Sequence, residues 1–78
     1  MTAQAFILIE TAVGKSQDVV SELRELSWVE MVVRVVGPYD VIAIVSTPDL
    51  KAVGDLISSR IHKIEGIVRT VTCMALPD

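Results

Sequence analysis

The chain has 78 residues, 51% of them apolar and only 4% aromatic, with 7 basic against 10 acidic side chains and a formal net charge of −3. This length allows one domain, residues 1–78, and no apolar run approaches the roughly 20 residues of a membrane-spanning helix. Nucleic-acid binders concentrate positive charge on one surface, whereas the basic residues here are scattered, so we expect no direct nucleic-acid binding.

The first predicted elements are a strand and a helix. Residues 5–10 are short, apolar and partly branched, which predicts a strand buried on both faces. Residues 11–14 break this pattern. A helix is predicted over about 16–26, with Ser16 as its N-cap and Asp18 in its first turn. Its apolar stripe consists of Val19, Val20, Leu23 and Leu26.

A second and a third strand follow, joined by a turn. Residues 29–36 are rich in valine, which favours a strand. The composition of residues 37–40 is typical of a turn, and residues 41–46 read as the third strand. Strict alternation in the second strand would put four apolar side chains on one face: Val29, Met31, Val33 and Val35.

The second helix and the fourth strand complete the chain. Thr47 can cap the helix, with Pro48 at the first helical position and Asp49 in the first turn. Gly66 is a natural left-handed stop, and residues 67–76 form the last strand, which Pro77 ends. One continuous apolar stripe is predicted along the helix: Leu50, Val53, Ile57, Ile61 and Ile64.

The element order βαββαβ predicts an α+β, ferredoxin-like fold, with a four-stranded antiparallel sheet and two helices on one face. Two helices leave the other face of such a sheet uncovered. The strands nevertheless carry apolar residues on both faces. We therefore expect the uncovered faces of two copies to pair in a dimer, an arrangement of the dimeric α+β barrel type.

Residues with reactive side chains are few. His62 is the only histidine and reads as a solvated residue favoured by a helix end; Cys73 is the only cysteine and reads as a small buried apolar residue. No metal-ligand spacing, nucleophile motif or phosphate-binding loop is present. The sequence therefore predicts a protein that is not an enzyme, with no cofactor or metal. A single cysteine and an N-terminus without signal-peptide features favour the cytoplasm.

Two groups of residues have both a structural and a functional interpretation. Gly37, Pro38, Tyr39 and Asp40 form a connecting turn, but their amides, aromatic ring and carboxylate could also hold the ammonium and carboxylate groups of an amino acid. Thr70 and Thr72 lie two apart and point to the same side of a strand. In the structural interpretation they are there because threonine is common in strands. In the functional interpretation they supply polar contacts at a subunit boundary.

Together these features resemble a known family. The segment VVGPYDVIAIVSTPDL (35–50), the segment IEGIVRTVTCMAL (64–76) and the element order are similar to the effector-binding RAM domain of the Lrp/AsnC regulators. Members begin with a helix-turn-helix domain, whereas this chain begins at the first strand, so it resembles a RAM domain alone. The resemblance implies a non-enzymatic role, in which the domain binds a small amino acid and takes part in regulation together with full-length Lrp/AsnC regulators.

The resemblance also implies an assembly and a site. Family domains dimerise through their sheets, dimers form octamers or decamers, and the effector binds between dimers. The family pattern places Gly37, Pro38, Tyr39 and Asp40 at the effector, with Thr70 and Thr72 contributed by an adjacent dimer. Leu56, which is off the predicted stripe of the second helix, is the position expected to face the pocket and select the effector.

Two alternatives remain open from the sequence. An ACT-type regulatory domain has the same element order and binds amino acids near a glycine between the first strand and first helix, where Gly14 is the candidate. A small dimeric α+β barrel enzyme would need a polar or aromatic pocket under its sheet, and three aromatic residues with one histidine supply it poorly. The position of a bound small molecule distinguishes the three.

Overall fold

The element order βαββαβ is confirmed. A computed structural model describes residues 2–76, so the expectation that Pro77 ends the last strand lies outside the described residues. None of the helices in this range is long and apolar enough to cross a membrane. The elements are β1 (Ala3–Thr11), α1 (Ser16–Arg24), β2 (Val29–Arg34), β3 (Val41–Thr47), α2 (Leu50–Ser59), a 3₁₀ turn (Ile61–Lys63) and β4 (Ile67–Met74).

The four strands form one antiparallel sheet in the order β2-β3-β1-β4. β1 lies in the interior of the sheet, where Ile7 faces Ala43 of β3 on one side and Thr72 of β4 on the other. Residues directly opposite each other in an antiparallel pair point to the same face. The register therefore assigns Ile7, Ala43 and Thr72 to one face, and their chain neighbours to the other.

The two helices cover one face, called here the covered face. α1 contacts β2 and β3, whereas α2 contacts β3 and β1. The side chains that β1 and β3 present to the helices are fully buried, and the apolar stripe of α1 packs against them as predicted. The fully buried apolar residues are Ala5, Ile7, Ile9, Val19, Leu23, Val41, Ala43, Val45 and Ile61.

The opposite face, called here the open face, carries apolar side chains that nothing in the single chain covers. Phe6 in β1 is 39% exposed and Met31 in β2 is 53% exposed. Val71 and Cys73 of β4 are also exposed and lie opposite Leu8 and Phe6. Cys73 is therefore not buried within the chain, contrary to the expectation, because β4 is an edge strand and its side chain points away from the helices.

The predicted single apolar face of β2 is wrong. Val29 lies opposite Val45 on the covered face, but the register shifts between Val29 and Met31, so that Met31 lies opposite Ile44 on the open face. Val32, opposite Ala43, is the buried residue of this strand. A bulge adds a residue to one strand and reverses the alternation beyond it. The sequence prediction assumed that side chains alternate strictly along the strand, so it could not anticipate this reversal.

The start of α2 lies slightly beyond the predicted cap. Asp49, and not Thr47, is the N-cap: its Oδ1 accepts a hydrogen bond from the amide of Ala52 at 2.9 Å. Thr47 ends β3, where its buried hydroxyl donates to the carbonyl oxygen of Asp49 at 2.7 Å. Between the 3₁₀ turn and β4, Gly66 has a φ of 101°, which is the left-handed conformation expected of a glycine that ends a helical segment.

Candidate functional site

The predicted turn after β2 is a loop closed at its base. The amide of Val35 donates to the carbonyl oxygen of Asp40 at 2.9 Å. Between these two residues, the amides of Gly37 and Tyr39 donate to no atom of residues 2–76. Gly37 does not have a positive φ, and a Cβ atom added there would meet no other atom within 4 Å. A glycine is therefore not required by the conformation of this loop.

Asp40 anchors the loop to the end of β1 through two hydrogen bonds. Its amide donates to the carbonyl oxygen of Ile9 at 2.9 Å, and its Oδ2 accepts from the amide of Thr11 at 2.8 Å. The register with β4 shifts between Glu10, which lies opposite Arg69, and Thr11, which lies opposite Ile67. The Asp40 amide, expected to be a ligand donor, is thus engaged within the chain, whereas Oδ1 accepts no hydrogen bond from residues 2–76.

Tyr39, the next residue in the loop, contacts a side chain of β4. The guanidinium carbon of Arg69 lies 5.8 Å from the centre of the Tyr39 ring, within the range of a cation–π interaction. Nε of Arg69 also lies 3.5 Å from Oε1 of Glu10, the residue opposite Arg69 in β1. The loop, the end of β1 and the start of β4 therefore meet at one end of the sheet.

Thr70 and Thr72 lie on the same side of β4, as predicted, but in different surroundings. Thr70 faces Ile9, which accepts the hydrogen bond of Asp40, so Thr70 lies near the loop in the same chain. Its Oγ1 is 3.2 Å from Nε2 of His62, which gives His62 a contact that the sequence did not predict. Thr72 faces Ile7 and is exposed.

Leu56 is a core residue, which corrects the expectation that its side chain lies off the packed stripe. It is only 7% exposed and belongs to the same buried cluster as Val53. Residues at i, i+3 and i+4 share a helix face, so Val53, Leu56 and Ile57 all turn toward the sheet. The predicted stripe used only the i+4 step from Val53 and therefore missed Leu56. The remaining exposed part of Leu56 borders an open depression of about 320 Å³ whose lining includes none of residues 37–40, 70 or 72.

Gly14, the candidate residue of the ACT-type alternative, has a structural explanation. Gly14 has a φ of 78° in the turn between β1 and α1, a conformation that favours glycine whether or not a ligand is present. Within residues 2–76, no three side chains of the histidine, cysteine, aspartate or glutamate type lie close enough to hold a metal ion. The arrangement at the β2–β3 loop offers instead free backbone donors, a carboxylate oxygen and a half-buried aromatic ring.

Comparisons with known proteins agree with this architecture. The family model described as the Lrp/AsnC ligand binding domain matches residues 4–77. The structure of hypothetical protein PHS023 from Pyrococcus horikoshii is 36% identical, covers 100% of this chain and 93% of that chain, and gives a TM-score of 0.90. For TTHA0845 from Thermus thermophilus, the identity is 33%, the coverage 97% of this chain and 95% of that chain, and the TM-score 0.92.

A larger protein contains the same fold. Transcriptional regulator NMB0573 from Neisseria meningitidis, solved as a complex with L-Met, is 15% identical with a TM-score of 0.87. The match covers 97% of this chain but only 51% of the regulator, so this chain spans about half of that protein. At this identity the likeness shows the fold alone. No curated protein matched the sequence.

Proposed function

The chain belongs to the Lrp/AsnC ligand binding domain family, and from this membership we propose that it binds a free amino acid and regulates without catalysing a reaction. The family is a regulatory ligand-binding domain of transcription regulators. One of its structural neighbours, NMB0573, is described as a complex with L-Met. Methionine illustrates the chemical class of ligand that we propose for this chain, which is a small zwitterion.

The anchored β2–β3 loop is the observation that carries the proposal. A zwitterionic amino acid needs donors for its carboxylate and an acceptor for its ammonium group, placed close together. The amides of Gly37 and Tyr39 are such donors, and Oδ1 of Asp40 is the acceptor. Pro38 supplies no amide hydrogen. Since Oδ2 of Asp40 already holds the amide of Thr11, the loop is fixed before the ligand arrives.

The open face supports assembly as part of the same proposal. An uncovered apolar sheet face is energetically costly in water, and a second copy of the same face is the simplest partner. Sheet-to-sheet dimers would then associate into an octamer or a decamer. In that ring, Thr70 and Thr72 of an adjacent dimer complete each ligand site, and α2 with Leu56 lies alongside it.

The regulatory output of the proposal runs through larger relatives. We expect this chain to join assemblies of full-length Lrp/AsnC regulators in the cytoplasm, with ligand binding changing the stability of the joint ring. The net charge of −3 disfavours direct contact of this chain with DNA phosphates. Its partners would therefore make the DNA contacts.

A screen of the twenty amino acids tests the ligand class. A ligand at 100 times its Kd adds about 2.7 kcal/mol to the free energy of unfolding. In a domain of this size, such a gain raises the Tm by several degrees. We expect one or a few small amino acids to produce this shift, with calorimetric titration giving one site per chain. If no amino acid raises the Tm or gives binding heat, the proposal is wrong.

Two substitutions of Asp40 separate its role in the loop from its role toward the ligand. Asp40→Asn keeps an oxygen that accepts from the amide of Thr11 but loses the charge, so binding should weaken by tens-fold while the Tm changes little. Asp40→Ala also leaves that amide without its partner, which should cost a further about 1–2 kcal/mol of unfolding free energy.

The matched control for these variants is Asp55→Asn, which removes an equivalent charge from an exposed ion pair with Lys51 on α2. It should leave both the affinity and the Tm close to the wild-type values. Unchanged affinity in Asp40→Asn, alongside normal binding by the wild type, would place the ligand elsewhere, with the turn at Gly14 the next position to test.

A further inference from the structure

Arg69 and Glu10 connect the β2–β3 loop to the sheet through their side chains. The Arg69 guanidinium lies over the Tyr39 ring at 5.8 Å, and its Nε is 3.5 Å from Oε1 of Glu10. We propose that Arg69 is a positioning residue: oriented by Glu10, it holds the Tyr39 ring in the place from which that ring contacts a bound amino acid. This inference rests on the proposed function.

Tyr39 needs such support because the hydrogen bonds of Asp40 fix the backbone of the loop but not the Tyr39 ring. The loop is closed between Val35 and Asp40, and the amide of Tyr39 donates to no atom of residues 2–76. Val36 is fully exposed and packs on nothing. The orientation of the half-buried ring therefore depends on contacts made by the ring itself, and the cation over its face links the ring to β4 of the sheet.

Glu10 limits the orientations of the Arg69 guanidinium. Glu10 and Arg69 are register partners in β1 and β4, so the pairing of the two strands fixes the positions of their Cα atoms. A carboxylate beside Nε restricts rotation of the planar guanidinium, whose face is then available to the aromatic ring. A lysine ammonium at the same position would keep the charge but lose this planar contact.

The same end of β1 thus provides two separate attachments for the loop. Thr11 binds the carboxylate of Asp40, and Glu10, one residue earlier, orients the arginine that contacts Tyr39. The first attachment fixes the backbone and the second fixes the ring. With one ring face against the guanidinium, the other face is left for the ligand, and a ring already in place reduces the ordering cost of binding.

The expected effect on binding is small but measurable. Cation–π contacts at partly exposed positions correspond to about a two- to fivefold change in an equilibrium constant. The Arg69 side chain is 61% exposed, so water weakens its contact with the Tyr39 ring in the ligand-free protein. A bound ligand excludes water from the ring, and the full change of about two- to fivefold is expected in the binding constant. Arg69→Gln should therefore weaken amino-acid binding about two- to fivefold, and Arg69→Lys should recover only part of the loss.

The experiment uses the single tyrosine of the chain as a reporter. Because Tyr39 is the only tyrosine, protein labelled with 3-fluorotyrosine gives a ¹⁹F signal from this ring alone. Spectra of the ligand-free wild type, Arg69→Gln, Arg69→Lys and Glu10→Gln are recorded first. The same proteins are then titrated by calorimetry with the amino acid that binds the wild type, and their assembly is checked by sedimentation. Lys51→Gln, which breaks an exposed ion pair on α2, is the control.

Support for the inference requires both readouts. The ¹⁹F signal should move or broaden in Arg69→Gln and less in Glu10→Gln, with the affinity falling in the same order and Lys51→Gln matching the wild type. An unmoved signal in Arg69→Gln, or a moved signal with unchanged affinity, overturns the inference and leaves the proposed function standing. Failure of every amino acid to bind the wild type overturns both. If Arg69→Gln does not assemble, Arg69→Lys replaces it in both measurements. A moved ¹⁹F signal together with a weaker affinity in Arg69→Lys then supports the inference, and the absence of either overturns it.

Discussion

The two faces of the sheet differ in a way that their sequences do not reveal. Ile7 and Phe6 are neighbours in β1, both large and apolar, yet Ile7 is fully buried under the helices whereas Phe6 is 39% exposed on the open face. The covered face stabilises the single chain. The open face has no such cover in the described chain, and we propose that a second copy covers it. Hydrophobicity alone therefore identifies a surface to be buried, but not whether the same chain or another copy buries it.

The largest expected effect is on the covered face. Ile7→Ala removes a fully buried side chain from the centre of the core, which should lower the free energy of unfolding by about 2–5 kcal/mol. Urea denaturation at one fixed protein concentration measures the loss. Val13→Ala, at a fully exposed position, is the control and should stay within about 0.5 kcal/mol of the wild type. A similar loss in both variants would contradict the assigned core.

A charge on the open face should disrupt assembly more than the fold. Phe6→Asp would place a carboxylate where we propose that two sheets meet, and an unpaired buried charge is strongly unfavourable. Sedimentation should show a dimer dissociation constant raised by a hundredfold or more, about 3 kcal/mol, with the circular dichroism of a folded chain. Leu50→Asp, on an exposed position of α2, is the control. Unaltered assembly in Phe6→Asp would mean that the open face is not the interface.

The reactivity of Cys73 reports on the same face without a substitution. Its thiol is exposed in the single chain and lies opposite Phe6 on the open face. If two open faces pair, the thiol should react with a bulky thiol reagent at least about tenfold more slowly in the assembled wild type than in Phe6→Asp. Equal rates in the two proteins, with the wild type shown to be assembled, would argue against burial of this face.

The smallest effect is expected at the edge of the covered face. Thr72 is the register partner of Ile7 and points to the same side, but it is exposed. Thr72→Val should therefore change the free energy of unfolding by less than about 0.5 kcal/mol. It should also weaken amino-acid binding by about 1 kcal/mol, the value of one neutral hydrogen bond to the ligand. Denaturation and calorimetry of the same preparation test both, and a large loss of stability would mean that Thr72 is a packing residue.

The strands and helices could be predicted because each has a local signature. The strand β1, the stripe of α1 and the left-handed position of Gly66 follow from neighbouring residues, and the structure confirms them. The predicted burial of β1 on both faces is wrong for the single chain, in which Phe6 is exposed on the open face. The loop at residues 37–40 was also found from its composition. The structure leaves the amides of Gly37 and Tyr39 without a partner in residues 2–76 but engages the Asp40 amide, and whether the loop binds a ligand stays a prediction.

Other features depend on residues far apart in the chain. The bulge at Met31 is visible only in the register with β3, and the burial of Leu56 requires knowing which side of α2 meets the sheet. The hydrogen bond from Thr11 to Asp40 spans 29 residues, and the Arg69–Tyr39 contact joins β4 to the β2–β3 loop. No periodicity in a short window contains these pairings.

The sequence by itself determined the order of the elements and the fold class, because helical and strand periodicity and turn residues act over a few positions. The family followed separately, from the resemblance of two segments to a known family. Only the tertiary structure decided which apolar face the helices cover, that Asp40 uses one oxygen to fix its own loop, and that Arg69 lies over Tyr39. These depend on strand order and register, which bring the ends of β1 and β4 to the β2–β3 loop. Long-range pairing is set by the packing of the whole chain and has no local signature.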